Sequence, residues 1–148
     1  MKKTIITMML TLMFGMAAQA QDTDSIYAKE LLPVGSKAPD FTLTTIDGKK
    51  QKLSNNYSCY QVLDFWASWC VPCRAKMKEL KKVYSQLKAK NITVISISLD
   101  EKKEAWLKAS QEDGIEWVNT CDVKPFRDNA IGKAYKVESV PKLFVINP

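Results

Sequence analysis

The chain has 148 residues, 46% of them hydrophobic and 26% charged, and a formal net charge of +6. That size and balance suit one globular domain able to bury its own core. There is no histidine, which excludes a His general base, a His metal ligand and a Ser-His-Asp relay and leaves acid–base work to carboxylates, lysines, thiols and water.

The first segment reads as an export signal. Lys2 and Lys3 form a basic start, Ile5 to Ala17 are almost all apolar, and Ala18-Gln19-Ala20 offers small residues at a cleavage site. The apolar run is too short for a comfortable membrane span. Residues 1–20 are therefore expected to be a cleaved signal peptide, with an uncleaved anchor as the alternative. No cysteine follows the site to carry a lipid. The expected location is the periplasm or cell envelope, with no stable membrane insertion after cleavage. In that compartment disulfides form and persist.

Residues 21–33 read as a flexible lead-in and 34–148 as the folded domain. Phe41 and Leu43 alternate with polar residues, Asp47-Gly48 is a hairpin-type turn, and Lys50 to Leu53 is the return strand. Val62-Leu63-Asp64-Phe65-Trp66-Ala67 has the apolar pattern of a buried strand. Beyond it Met77, Leu80, Val83 or Tyr84, and Leu87 recur at helical spacing, in a helix ending near Lys90-Asn91. Its lysines, Lys76, Lys78, Lys81 and Lys82, read as a solvated face and not as a nucleic-acid groove. Ile92 to Leu99 predicts a central parallel strand, Glu101 to about Asp113 a second helix stopped by Gly114, Trp117-Val118 a short strand, Asp128 to Tyr135 a short helix, and Leu143 to Ile146 a last strand. Alternating strands and helices predict an α/β sandwich preceded by a β-hairpin.

Cys70-Val71-Pro72-Cys73 falls between the buried strand and the start of the first helix. A helix N-terminus presents unpaired N–H groups and a positive dipole end, which favour a thiolate. Cys70 is therefore the expected nucleophile, and Cys73, one turn further in, the sulfur that resolves a mixed disulfide. Pro72 fits the first helical turn, where its missing N–H costs nothing. Two alternatives stand beside this reading: a zinc site completed by Cys59 and Cys121, and a purely structural short-loop disulfide. Cys59 and Cys121 are expected at opposite ends of the sheet, as free thiols or in a second disulfide. Asp64 sits inside an otherwise apolar strand. A buried unpaired carboxylate is costly and its pKa rises; the alternative is an Asp satisfied by a nearby lysine.

Phe65-Trp66-Ala67-Ser68-Trp69-Cys70-Val71-Pro72-Cys73-Arg74 resembles the active-site signature of thioredoxin-like proteins. Val34-Gly35-Ser36-Lys37-Ala38-Pro39-Asp40-Phe41 with Asp47-Gly48 resembles the opening of the TlpA/ResA-like envelope branch, in the AhpC/TSA superfamily shared with peroxiredoxins. Tyr135-Lys136-Val137-Glu138-Ser139-Val140-Pro141 resembles that family's approach to its cis-proline. The resemblance implies a thioredoxin-like sandwich and thiol–disulfide exchange with no cofactor or metal. It also implies that Pro141 is cis and faces the disulfide, that the Val140 backbone pairs with an extended substrate segment, that Trp69 shields the rim, and that Asp64 relays a proton for Cys73. Trp66 is either rim or core.

Three departures are visible. Lys76 stands where the branch often has an acid, Lys78 stands where it tends to have a kinking proline, and the chain stops after Asn147-Pro148, before the family's last strand and helix. The first two predict reliance on Asp64 and a straight helix; the third predicts an exposed edge at 143–146. The implied partners are exported proteins bearing disulfides or thiols, apocytochromes among them, and a membrane electron donor, with reduction as the direction. Two other functions compete. A peroxidase would need a Pro-x-x-x-Thr-x-x-Cys context, but Ala67 stands where Thr is expected and no upstream Pro is present. A non-catalytic binding module would not need an intact Cys-x-x-Cys.

Overall fold

The computed structural model describes residues 31–148; the expected signal peptide and most of the lead-in lie outside the described residues. Asp47-Gly48 turns β1 (Thr42–Thr44) into β2 (Lys50–Lys52), with Gly48 at φ +80, a left-handed conformation that costs glycine nothing. The hairpin docks on the edge of the main sheet, where Thr45 bridges Thr120 and the Ile46 N–H bonds to the Asn119 carbonyl at 3.1 Å. That contact covers an edge otherwise open to pairing.

The main sheet holds four strands: β3 (Gln61–Trp66), β4 (Thr93–Ser98), β5 (Val118–Cys121) and β6 (Lys142–Ile146), in the order β5-β4-β3-β6. β3, β4 and β5 run parallel and β6 runs antiparallel to β3. β3 and β4 are the inner strands, buried on both faces, which is why they read as near-continuous apolar runs.

Helix α1 (Val71–Ala89) joins β3 to β4, and α2 (Lys103–Glu112) joins β4 to β5. Both pack on one face of the sheet: Cys73 and Met77 of α1 share a buried cluster with Trp106 and Ala109 of α2, Trp66, Val94 and Cys121. α1 is a single helix, as a lysine in place of a kinking proline predicts. Its inward residue at the ambiguous position is Tyr84, half-buried, while Val83 is exposed. Lys76, Lys78, Lys81 and Lys82 are all exposed. α1 ends at left-handed Asn91 and α2 at left-handed Gly114.

The opposite face is built from aromatic rings. Tyr135 lies with its ring centroid 6.1 Å from Phe41, 5.6 Å from Phe65 and 5.2 Å from Phe144. It sits just beyond the short helix α3 (Ala130–Ala134).

Two expectations shift. Trp117 is not in β5; its indole turns into the core to bond Ser96, so the strand begins at Val118. The predicted helix over 128–135 is split. A 3₁₀ turn covers Phe126–Asp128, and Asn129 then caps α3 by accepting the Gly132 N–H at 2.7 Å. On β6, Leu143 and Val145 are exposed on the face that carries α1. Among the described residues no helix is long and apolar enough to cross a membrane.

Candidate active site

The β3–α1 junction holds the cysteine pair. Cys70 and Cys73 form a disulfide, 2.01 Å between sulfurs and 5.2 Å between Cα atoms. Cys70 is the N-cap of α1, and its Sγ accepts the Cys73 N–H at 3.2 Å. No acidic side chain lies in the first helical turn, so nothing there offsets the positive end of the helix dipole. Pro72 occupies that first turn, as expected. Both cysteines are buried in this oxidised form, Cys73 slightly more than Cys70.

Around the pair, Trp66 and Trp69 separate. Trp66 is fully buried core. Trp69 is 61% exposed on the rim, its ring 6.4 Å from that of Phe126, and Val71 beside it is more exposed still. Phe126 also lines a cleft of about 400 Å³ with Arg127, Lys133, Val137 and Glu138. The Val140–Pro141 peptide bond is cis, and Val140 packs against the buried cluster that contains Cys70 and Cys73. Pro141 is half-buried.

Asp64 lies on β3 on the α1 face, nearly fully buried. Among the described residues it forms no ion pair; the Ser96 hydroxyl donates to its Oδ2 at 3.1 Å. Burial raises its pKa from the ordinary 3.8 to about 6, opposed by the Ser96 hydrogen bond and by the positive charge of Lys76. Lys76 acts at a distance, since its side chain is exposed and does not point inward.

Several functional contacts were not read from the sequence. Asp100, buried just beyond β4, accepts the Ser68 N–H at 2.9 Å, the Ser68 hydroxyl at 2.6 Å and the Ser98 hydroxyl at 2.7 Å. Arg74, next to Cys73, bonds Asp113 through Nε at 2.8 Å and through Nη2 at 2.9 Å and reaches Glu112 at 2.8 Å, tying the start of α1 to the end of α2. Those carboxylates hold the guanidinium firmly in its charged form. Trp117 Nε1 donates to Ser96 Oγ at 2.7 Å. The signal for part of this was present: Ser96, Ser98 and Asp100 alternate along an otherwise apolar strand and so share one face.

Cys59 and Cys121 are free and buried. Cys59 donates to the Asn56 carbonyl and lies 3.4 Å from Thr93 Oγ1, at the start of β4, whereas Cys121 closes β5 at the end that carries Cys70. The four cysteines therefore do not converge, and the second-disulfide alternative is not realised. Burial pushes the Cys121 thiol pKa up, which keeps it protonated and unreactive.

Residues 34–148 match the AhpC/TSA family. The chain is 29% identical over 125 residues to the thiol-disulfide oxidoreductase ResA of Geobacillus kaustophilus, covering 84% of this chain and 70% of that one. It is also 29% identical over 120 residues to ResA of Bacillus subtilis, covering 81% and 65%. The chain thus spans about two-thirds of the length of these relatives. The crystal structure of the thioredoxin domain of a thiol-disulfide oxidoreductase from Bacteroides vulgatus superposes with a TM-score of 0.71 at 28% identity, covering 78% of this chain and 82% of that one. The fold is therefore thioredoxin-like.

Proposed function

Because the chain belongs to the AhpC/TSA family and is a thiol–disulfide oxidoreductase of its thioredoxin-like kind, we propose that it works in the cell envelope, reducing disulfides of exported proteins through Cys70 and Cys73. The observation that carries this reading is the pair itself: a Cys-x-x-Cys disulfide whose first sulfur caps the N-terminus of α1. The basic and apolar residues 1–20 support the location.

In the dithiol form, Cys70 reacts as the thiolate favoured by the helix end. It attacks one sulfur of a substrate disulfide. A Cys70–substrate bond forms, the substrate S–S bond breaks, and the departing substrate sulfur takes a proton from solvent. Cys73 then gives its thiol proton to Asp64 and attacks Cys70 Sγ. The Cys70–Cys73 bond forms, the Cys70–substrate bond breaks, and the second substrate sulfur leaves as a thiolate that is protonated in turn. Two electrons pass to the substrate, and the protein is left as the disulfide described above. A membrane electron donor supplies two electrons to restore the dithiol.

The loop at Val140 and Pro141 offers backbone to an extended substrate segment, and Trp69 and Val71 give it an apolar rim. Asp64 is suited to the proton step because a carboxyl near 6 changes protonation close to neutral pH.

The test is trapping. Cys73→Ser should accumulate mixed disulfides with exported proteins and lose insulin reduction, whereas Cys70→Ser should trap none. Insulin reduction retained in Cys70→Ser would overturn the assignment.

A further inference from the structure

We infer that Trp117 and Ser96 are positioning residues of this reaction: their hydrogen-bond chain occupies Asp64 Oδ2 and leaves Oδ1 as the atom that takes and returns the Cys73 proton. The inference rests on the reading above, in which Asp64 serves Cys73.

The direction of the chain follows from donor chemistry. An indole N–H can only donate, so at 2.7 Å Ser96 Oγ is the acceptor from Trp117. A hydroxyl has one hydrogen. With a lone pair already engaged by Trp117, Ser96 sends that hydrogen to Asp64 Oδ2 at 3.1 Å. The competing acceptor is Met77 Sδ at 3.9 Å, a weak one. Each donor polarises the next, which strengthens the bond to the carboxylate. All three side chains are buried, so the chain is not exchanged for water.

The geometry is held from both sides. Asp64 and Ser96 are paired across the β3–β4 ladder. The Trp117 ring packs on Tyr84 of α1 with centroids 5.2 Å apart, which fixes where its N–H points. The Ser96 hydrogen bond to this carboxyl falls on Oδ2, not on Oδ1. The groups packed around the carboxyl carry little charge. α1 contributes Met77, whose sulfur lies 3.9 Å from Ser96 Oγ, and the exposed Lys76, β4 the neutral Ser96, β6 Leu143 in register with Asp64, and the segment before β5 the neutral Trp117. The hydrogen-bond chain is therefore the main local device that opposes burial at this carboxyl.

The test follows the protonation of Asp64 by carboxyl-carbon NMR and the pH dependence of mixed-disulfide resolution, in the full chain. Ser96→Ala removes the donor to Oδ2 and should raise both midpoints by about one unit. Trp117→Phe keeps the ring and removes only the N–H; it should raise them by less. Ser96→Thr, which keeps the hydroxyl, should return them to the unsubstituted values. If Ser96→Ala does not fold, Trp117→Phe decides alone. Midpoints unmoved in the folded variants, with the inflection abolished by Asp64→Asn, would overturn the inference and leave the function standing. An inflection that survives Asp64→Asn would remove Asp64 from the reaction and the inference with it.

Discussion

Ser68 donates both its backbone N–H and its hydroxyl to the Asp100 carboxylate, at 2.9 and 2.6 Å, and so fastens the turn that leads into Cys70 to the end of β4. Ser98 adds a third donor at 2.7 Å, and among the described residues no ion pair to Asp100 is seen. These hydrogen bonds satisfy the buried carboxyl in the interior.

Asp100→Ala would strand three donors, two of them on the turn before the nucleophile. Stability should fall by about 3 kcal/mol, and the Ser68 and Cys70 amides should exchange faster with solvent. Urea unfolding and hydrogen exchange check this. An unchanged midpoint would show that the turn is held by something else.

Asp64 gives a pH signature. Its carboxyl titrates near 6 in the folded state against 3.8 for the ordinary side chain. Below about pH 4 both states are protonated and the residue costs nothing. Between about 4 and 6 the unfolded chain loses its proton first, so stability falls as pH rises. Above about 6 the penalty is complete, on the order of 3 kcal/mol. Asp64→Asn should therefore be more stable than the unsubstituted disulfide form at pH 8, by about 2 to 3 kcal/mol, and nearly equal to it at pH 4. A difference that does not vary with pH would contradict this account.

Trp69 tests the rim. Its ring is mostly exposed and touches Phe126, so truncation leaves the core intact. Trp69→Ala should lower kcat/KM for a protein disulfide about tenfold, through KM, as loss of an aromatic anchor does. The reduction potential and unfolding midpoint should stay put. A shifted potential would assign Trp69 to the chemistry of the sulfurs.

Tyr135 tests the opposite face. Its hydroxyl donates to the Pro39 carbonyl at 2.8 Å, and its ring meets three others. Tyr135→Phe should cost about 1 kcal/mol and Tyr135→Ala about 4 kcal/mol, both read from urea midpoints. Burial also pushes the Tyr135 pKa up. The unfolded chain therefore ionises first above about pH 10, and Tyr135→Phe should soften the loss of stability there.

The legible parts of the sequence were local. β3 and β4 announced themselves as apolar runs, α1 by its spacing, and Cys70 and Cys73 by their place between a strand and a helix. The parts that escaped were long-range polar contacts. Ser68 and Asp100 are 32 residues apart, and Ser96 and Trp117 are 21 apart; no spacing rule connects them. Trp117 reads as a strand residue by propensity, yet its N–H is drawn inward by the buried Ser96 hydroxyl oxygen. Asn129 looks like the interior of a helix until its side chain is seen capping a new one.

The most direct test of the central claim is the reduction potential of the Cys70–Cys73 pair. It is measured by equilibration with glutathione or dithiothreitol in a chain with Cys59 and Cys121 changed to Ser. A reductant of exported proteins should give about −250 mV or lower. A value near about −120 mV would make the protein a disulfide-forming oxidant, and the absence of any reversible couple would contradict thiol–disulfide exchange itself.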